Sequence, residues 1–389
     1  MPALPDFLPM LRLALLAGLI ALLPLCWWGL RQRGVPISTR LAALTTLTLF
    51  LTFDLIVFGS FTRLSDAGLG CPDWPGCYGE ASPIGARGDI NAAQAAMPSG
   101  PVTQAKAWIE MIHRYLAMAV GLLILVAAVI SWRVRVALPH SRWWSAATLG
   151  WVVVQGLFGK YTVTLKLYPA IVTLHLMGAM GLLALLVLQY ESFRARPLVL
   201  RAGLSSTWVV LVLAVLLLQV ALGGWVSTNY AVLACTGFPT CNNQWWPAMA
   251  LGQGFTLLRE LGRSGQGAFL PFDALVAIHM VHRLFALVAL AALATLSWRL
   301  WRQDAATARR YALALAGLIL WQAASGLSNV VLGWPMSAAL AHSAGAAGLV
   351  AVLTSLWARA HAAAPARRRQ FTSLPAAGDL HVAKTSAQR

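Results

Sequence analysis

Charged residues are scarce in this chain. Asp, Glu, Lys and Arg make up 11% of its 389 residues, and just 12 residues are acidic, whereas a soluble domain carries about 25% charged residues. The chain therefore cannot cover a water-facing surface, which excludes an ordinary soluble protein. Hydrophobic residues make up 59% of the sequence and recur in runs of about 20, the length that crosses a bilayer. The composition predicts an all-α integral membrane protein, since helices satisfy their own backbone in lipid.

Because acidic residues are few, the formal net charge is +17, a value that could indicate nucleic-acid binding. The Lys and Arg residues, however, form short clusters between apolar segments, as they do in cytoplasmic loops. We therefore expect the protein to contact membrane lipid and no nucleic acid. The clusters lie at 31–40, 133–142, 194–201 and 299–310 and in the C-terminal tail.

Nine apolar segments are long enough to cross the membrane. They lie at residues 10–30, 41–63, 108–132, 143–165, 170–193, 206–228, 274–298, 311–333 and 336–358. The basic clusters follow every second segment, so we predict nine spans with the N-terminus and the loops 64–107 and 229–273 outside. The first segment could instead be a signal peptide, but it has no basic residue before it and no small-residue cleavage site after it, which favours a retained helix.

Cysteine is also scarce, and five residues are too few for a disulfide scaffold. Four of them form two spaced pairs, Cys71 with Cys77 and Cys235 with Cys241. Both pairs lie in loops expected outside, where disulfides persist. Each pair is either a structural staple or a labile disulfide that exchanges electrons or guides a ligand.

Four polar landmarks recur in the same order and indicate an internal repeat. They are Gly59-Ser60-Phe61 and Gly223-Gly224-Trp225, the two cysteine pairs, His113-Arg114 and His282-Arg283, and Gln155 with His175 and Gln322 with His342. We predict a tandem parallel repeat of two pseudo-symmetric four-helix bundles, 41–200 and 201–360, because each copy has four spans. An extra transmembrane helix within 1–40 precedes them, and a disordered cytoplasmic tail, 361–389, follows.

Five histidines lie inside predicted spans, and each repeat has two at similar depth near the outer face. A single histidine there usually bridges two helices, but His113 with His175, and His282 with His342, could each hold one haem iron from both sides. Zinc is the competing metal, but it needs a third or fourth ligand nearby, which both copies lack at this depth. His279 lies one turn before His282, and the shared His-Arg dipeptide favours His282 as the ligand.

The repeats differ one helical turn before the first histidine, where Glu110 in the first copy corresponds to His279 in the second. A buried carboxyl can act as a general acid or base, so we predict chemistry at the first site and a held cofactor at the second. Alternatively, Glu110 simply pairs with Arg114 on the same helix. Arg114 and Arg283 either bind haem carboxylates or extend towards the membrane interface. Four weaker polar candidates either line the haem pockets or bridge helices: Asp54, Gln155, Gln219 and Gln322.

Three stretches of the first repeat resemble the haem A synthase family of the respiratory chain. They are Thr62-Arg63-Leu64, Gly68-Leu-Gly-Cys-Pro-Asp-Trp-Pro75 and Glu110-Met-Ile-His-Arg114. The second repeat resembles the family through Leu222-Gly223-Gly224, the Cys235/Cys241 pair, His282-Arg283 and His342. The resemblance covers residues 41–358 and implies two pseudo-symmetric four-helix bundles, so the first span is an addition to the family's pattern.

The resemblance implies that the protein oxidises the C8 methyl group of haem O to a formyl group, giving haem A for cytochrome c oxidase. It assigns His282 and His342 to a resident haem b in the C-terminal half. It assigns His113 and His175 to the substrate haem O, with Glu110 as an acid/base or carbocation-stabilising group.

The resemblance also bears on location and partners. It implicates the Cys71/Cys77 loop in catalysis or in receiving haem from the haem O synthase, which is the expected partner. It implies a bacterial-type inner membrane, with the haem sites and cysteine loops towards the outer side. The sequence names no electron-transfer partner and leaves homo-oligomer formation open.

Other functions explain part of the pattern. A bis-histidine haem carrier or membrane electron-transfer cytochrome would also bind two haems, but moving electrons across the membrane needs ligand pairs at both faces. A disulfide-generating quinone reductase would explain the cysteine pairs but not the four histidines. A prenyltransferase needs paired aspartates for Mg²⁺-diphosphate, and the aspartates here form no such cluster.

Overall fold

The structure is a computed structural model that describes residues 8–134, 141–194, 196–200 and 204–372. Over these ranges the chain forms eleven α-helices and one short 3-10 turn (Val232–Ala234), and no β-strand. The predicted all-α class is therefore confirmed. The helices are α1 (Leu8–Arg31), α2 (Ile37–Leu64), α3 (Arg87–Ala96), α4 (Gln104–Arg133), α5 (Ser141–Thr164), α6 (Pro169–Arg194), α7 (Ser206–Thr228), α8 (Leu251–Gly254), α9 (Phe272–Trp301), α10 (Ala306–Val331) and α11 (Met336–Thr372).

In the part of the chain that the structure describes, eight helices are long and apolar enough to cross a membrane, which supports a multi-pass membrane protein. They are α1, α2, α4, α6, α7, α9, α10 and the Met336–Ala363 part of α11. The ninth predicted span, 143–165, coincides with α5, which is helical but is not among the eight. Gln155, Lys160 and several Ser and Thr residues dilute its apolar character. The ninth span therefore stays a prediction.

The last helix extends beyond its apolar part. α11 continues to Thr372, so helix covers 361–372, which we predicted as the start of a disordered tail. The segment is rich in Ala and Arg, which are strong helix formers even without a membrane-facing surface, and the disorder of the tail stays a prediction. The remainder of the predicted tail lies outside the described residues.

Proline and side-chain capping fix several helix starts. α6 begins at Pro169, and α9 and α11 begin directly after Pro271 and Pro335. The fixed φ of proline suits a first turn, where its missing N–H is not needed. α4 begins with a cap instead, since the Thr103 side chain accepts a hydrogen bond from the backbone N–H of Lys106 at 3.2 Å.

The long helices within each predicted repeat contact one another, and helices of the two repeats also pack together. In the first repeat, α2 packs against α4 and α6, and α5 also contacts both of these helices. In the second repeat, α7 packs against α9 and α11, and α10 contacts both. α6 and α2 provide the contacts with the second repeat, through α7 and α11. Each predicted histidine pair consequently lies on two helices of one repeat.

The long loops of the two repeats lie at the same end of the molecule. There Arg63, at the end of α2, donates a hydrogen bond to the carbonyl of Ser227 at the end of α7, and Tyr230 donates one to Asp66 at 2.6 Å. The loops contain the helices α3 and α8, which the apolar pattern did not predict. This end carries every candidate functional loop.

The additional helix α1 packs against α4 and reaches the same end. Arg12 forms an ion pair with Glu80 of the first long loop, with 3.7 Å between the charged atoms. Leu13 is 2% exposed and joins a buried cluster that contains Cys71 and Cys77. The extra helix therefore covers one side of the first cysteine loop.

Candidate functional site

Both predicted cysteine pairs form disulfide bonds, Cys71–Cys77 and Cys235–Cys241. All four residues are buried, with 0–2% of their surface exposed. Thiol exchange requires access to a sulfur atom, so this burial favours structural staples over labile disulfides. Burial also raises the pKa of Tyr78, which follows the first disulfide, and Asp89 and Asp73 raise that pKa further, so its phenol is protonated at neutral pH.

The arginine after the first histidine of each repeat holds the cysteine loop. Arg114 donates hydrogen bonds to the carbonyls of Asp73 at 2.9 Å and Pro75 at 3.2 Å, and also to that of Gly76. This carbonyl anchoring was not predicted from the sequence. The recurrence of a His-Arg dipeptide after each cysteine pair was the signal that could have found it. Binding of haem carboxylates by these arginines stays a prediction.

Arg283 makes the matching contacts in the second repeat. It donates hydrogen bonds to the carbonyls of Gly237 at 3.1 Å, Thr240 at 3.2 Å and Cys235 at 2.9 Å. Gly237 and Thr240 stand 164 residues after Asp73 and Gly76, the same offset as the cysteine pairs. The two long loops are therefore attached to α4 and α9 by hydrogen bonds from equivalent arginines to equivalent backbone carbonyls.

Glu110 connects the first cysteine loop to α4. The carboxylate is 4% exposed, forms an ion pair with Arg114, and accepts a hydrogen bond from the backbone N–H of Cys71 at 2.9 Å. The helical pair with Arg114, which the sequence offered as the alternative role, is therefore present. Glu110 also lies one helical turn before His113, so an acid/base role beside the first site remains a prediction.

His279 occupies the matching position in the second repeat and is used differently. It is 4% exposed, and its Nδ1 atom lies 3.0 Å from the carbonyl oxygen of Ala231. His282, by contrast, interacts electrostatically with His342. This arrangement favours His282 over His279 as the partner of His342.

The structure brings each predicted histidine pair together. His113 on α4 and His175 on α6 lie within electrostatic range of each other, as do His282 on α9 and His342 on α11. Among the residues that the structure describes, no group of three or more His, Cys, Asp or Glu side chains is placed to hold a metal ion. Two imidazoles alone match haem iron, because the porphyrin supplies the other four nitrogen ligands, whereas zinc needs further side chains.

A glycine on the neighbouring helix lies against each of the four imidazoles. A Cβ atom placed on Gly59 would be 3.0 Å from Nε2 of His113, and one placed on Gly223 would be 3.0 Å from Cε1 of His282. The corresponding distances to the Cε1 atoms of His175 and His342 are 3.7 Å from Gly159 and 3.1 Å from Gly326. A side chain at Gly59, Gly223 or Gly326 would crowd its imidazole, so these three glycines let the rings approach the helix backbone, whereas a Cβ at Gly159 would make ordinary contact with His175.

Two of these glycines were missed in the sequence. Gly59 and Gly223 belong to a recognised landmark of the repeat, but Gly159 and Gly326 were not singled out. They could have been found, since each follows a repeated glutamine, Gln155 or Gln322, by four residues. Apart from this spacing, an apolar segment does not indicate which of its glycines faces a histidine.

The weaker polar candidates have unequal positions. Gln219 is the one whose side chain reaches a histidine, since its amide lies 3.1 Å from Nδ1 of His282. Gln322 contacts His342 through its backbone, and its side-chain oxygen has no hydrogen-bond partner among the described residues. Gln155 is buried, and the structure gives its amide no hydrogen-bond partner among the described residues. Asp54 is exposed on the surface of α2, so it does not line a histidine pocket. Ser325, which was not predicted, lies 3.1 Å from Nδ1 of His342.

Comparison with known proteins gives a consistent result. The chain matches the COX15-CtaA family, described as cytochrome oxidase assembly protein, over residues 42–354. It is 37% identical over 321 residues to the protein named Heme A synthase of Shewanella oneidensis, covering 82% of this chain and 96% of that protein. It is 27% identical over 324 residues to the Heme A synthase of Caulobacter vibrioides, covering 78% and 91% of the two chains.

A third, shorter similarity has a different character. Over 150 residues the chain is 29% identical to Protoheme IX farnesyltransferase 1 of Natronomonas pharaonis. The matched region covers 39% of this chain and 27% of that protein. The similarity is thus confined to part of each sequence.

Proposed function

Because this chain belongs to the COX15-CtaA family of cytochrome oxidase assembly proteins, we propose that it oxidises the C8 methyl group of haem O to a formyl group. The product is haem A, the cofactor required for assembly of cytochrome c oxidase. One observation carries the proposal from geometry: both repeats bring two histidines together, but only the first has a carboxylate, Glu110, one turn before its first histidine. The two sites therefore serve different purposes.

In this proposal the chain forms two pseudo-symmetric four-helix bundles, 41–200 and 201–360, with nine spans. The closed packing of α2, α4, α5 and α6, and of α7, α9, α10 and α11, supports the two bundles. The disulfides support an outer, oxidising location for the end that carries both long loops. With the basic clusters at the other end, this orientation corresponds to a bacterial-type inner membrane.

The second repeat holds a resident haem b through His282 and His342. Their ring contacts with Gln219 and Ser325 and the adjacent glycines support the proposal that these two histidines would hold the haem. Haem b bound there supplies one-electron redox chemistry.

The first repeat receives the substrate haem O through His113 and His175. Glu110 acts there as the acid or base, because its carboxylate is buried one turn from His113 and is oriented by the N–H of Cys71 and by Arg114. The Cys71–Cys77 disulfide staples the loop that carries this N–H. The loop consequently fixes the position of the carboxylate relative to the histidine.

The haem O synthase is the partner that would deliver the substrate. This proposal is supported by the partial similarity to a protein named Protoheme IX farnesyltransferase 1. Delivery of an apolar porphyrin directly from one membrane enzyme to another avoids its release into water. The outer loop 64–107 is the part of the first repeat proposed to meet that partner.

Production of haem A tests the function directly. The chain is expressed in a host that makes haem O but no haem A, and extracted pigments are separated by chromatography into haems B, O and A. We expect haem A to appear with the chain and to be absent with His113→Ala. A protein that binds haem b at full occupancy but yields no haem A would instead be a haem carrier or electron-transfer cytochrome.

A further inference from the structure

We propose that Gln219 and Ser325 hold the histidines of the second repeat to retain its haem, whereas the first repeat, which has Leu55 and Phe158 at these positions, exchanges its haem. The inference rests on the proposed function, in which one haem is resident and the other is substrate and product. Both residues are positioning residues, since each acts on the haem through a histidine.

Ser325 on α10 controls the orientation of His342. Its hydroxyl donates a hydrogen bond to the carbonyl of Trp321 at 2.7 Å, and its oxygen lies 3.1 Å from Nδ1 of His342. Because the hydroxyl proton is used on Trp321, the oxygen can accept the Nδ1 proton of the imidazole, beside a further hydrogen-bonding contact of this ring with the backbone of Gln322. This tautomer leaves the lone pair of Nε2 free, as an iron ligand requires.

Gln219 on α7 contacts His282 twice. Its amide lies 3.1 Å from Nδ1 and 3.3 Å from the backbone carbonyl of the same residue. The amide oxygen has no hydrogen-bond partner among the described residues, so rotation of the amide can present it to an Nδ1 proton when Nε2 binds a metal. In either orientation of the amide, Gln219 contacts Nδ1 of His282, which fixes the plane of the imidazole ring.

The first repeat replaces both contacts with hydrocarbon. Leu55 stands 164 residues before Gln219, and Phe158 stands 167 residues before Ser325, the offsets of the surrounding landmarks. Neither side chain forms hydrogen bonds. Correspondingly, Nδ1 of His175 is buried with no hydrogen-bond partner in the part of the chain that the structure describes. The histidine is held by packing alone.

This difference suits the separate tasks of the two sites. Loss of the hydrogen bond behind a metal-binding histidine weakens metal binding by about 10- to 100-fold. A site that must release its product benefits from the weaker arrangement, whereas a resident cofactor needs the stronger one. Equivalent glycines and helices thus support one site that exchanges its haem and one site that retains its haem.

Haem transfer to apomyoglobin tests the inference. The full-length chain is purified with haem b bound, excess apomyoglobin is added, and the loss of haem is followed by the change in visible absorbance. We expect Gln219→Leu and Ser325→Ala to release haem b about 10-fold faster or more, while Ser325→Thr, which keeps the hydroxyl, releases it at the rate of the unaltered chain. Ser328→Ala is the matched control, because Ser328 bonds only to the carbonyl of Ala324 on its own helix.

The haem midpoint potential provides a readout that general destabilisation would not move. An Nδ1 hydrogen bond makes the imidazole a stronger electron donor, so Gln219→Leu and Ser325→Ala should raise the potential and Ser325→Thr should not. Unchanged release rates and potentials in both variants would overturn the inference. If either variant fails to fold, Leu55→Gln tests the same idea by adding a contact, and it should slow haem release from the first repeat.

The outcomes separate this inference from the proposed function. Altered haem b release without any haem A production by the unaltered chain would support retention and overturn the enzymatic proposal. Normal haem A production by the unaltered chain, with unaltered haem b release in the variants, would support the enzymatic proposal and overturn the retention inference.

Discussion

Arg114 in the first repeat and Arg283 in the second donate hydrogen bonds to backbone carbonyls at matching positions of two disulfide loops. Beside these shared contacts, Glu110 and His279 occupy equivalent positions in the two repeats. The Glu110 carboxylate accepts a hydrogen bond from a backbone N–H, whereas the His279 ring lies against a backbone carbonyl. The comparison shows that the scaffold around each histidine pair is common, while the side chains that contact the pair differ. A duplicated fold can thus give two sites with separate chemistry, since a few pocket residues decide what each site does.

Removing an axial histidine of the second repeat should have the largest effect. We expect His282→Ala or His342→Ala to abolish bound haem b, because each removes one of the two proposed iron ligands. Haem content per protein is measured from the pyridine haemochrome spectrum. His361→Ala is the control, since His361 is exposed and stacks on Trp357. Full haem b content in both variants would refute the ligand assignment.

Neutralising Glu110 should abolish product formation while sparing haem b. Glu110→Gln keeps an oxygen for the N–H of Cys71 but loses its acid/base function, which contributes about 100-fold or more to a rate. We expect haem A formation to fall by at least this factor and haem b content to stay unchanged, both measured by pigment chromatography. Glu191→Gln is the control, because Glu191 accepts a hydrogen bond from Ser355 away from the histidines. Normal haem A formation in Glu110→Gln would contradict the acid/base role and show that this carboxylate is structural.

The two loop arginines should differ in their contribution to stability. Arg114→Ala breaks a buried ion pair and leaves the charge of Glu110 without a partner. We expect this to lower the free energy of unfolding by about 3 kcal/mol or more. Arg283→Ala loses hydrogen bonds to neutral carbonyls and should cost about 2 kcal/mol. Thermal unfolding in detergent measures both, with the exposed Arg87→Ala as control. Equal losses would mean that the ion pair adds nothing to the common anchoring.

Removing the Tyr230 hydroxyl, which links the two repeats, should have the smallest effect on thermal stability. The effect should show in how stability changes at high pH. Burial raises the pKa of Tyr230 above 10.0, Arg63 lowers it, and the hydrogen bond to Asp66 raises it. A raised pKa favours the neutral phenol in the folded protein, so the stabilisation is complete below pH 10.0 and is lost as pH rises through the raised pKa. Tyr230→Phe should therefore show a smaller loss of thermal stability above pH 10.0 than the unaltered chain. An identical pH dependence in both proteins would contradict this.

Features that depend on local spacing were predictable. The cysteine pairs, six positions apart, do form disulfides, and the family inferred from the Glu110–Arg114 stretch is confirmed by the comparisons. The apolar runs located the long helices, because a span in lipid must be apolar over its length. They missed α3, which lies in a loop, and the polar extension of α11, since neither has an apolar run.

Features that depend on helix rotation were not predictable. Ser325 and Gly159 look like ordinary small residues of an apolar segment, yet one approaches Nδ1 of His342 and the other packs against His175. The carbonyl anchoring by Arg114 was missed for a different reason: its acceptors lie about 40 residues away in the chain, and the recurring His-Arg dipeptide was its one sequence signal.

The amino-acid sequence by itself determined the membrane class, the repeat and the residue types available at each histidine, because hydropathy and spacing are properties of the chain. The tertiary structure alone decided that Gln219 and Ser325 face the histidines of the second repeat and that Leu13 joins the buried cluster around the first disulfide. Such choices are made when helices pack, since a small rotation of one helix about its axis changes which side chain meets its neighbour.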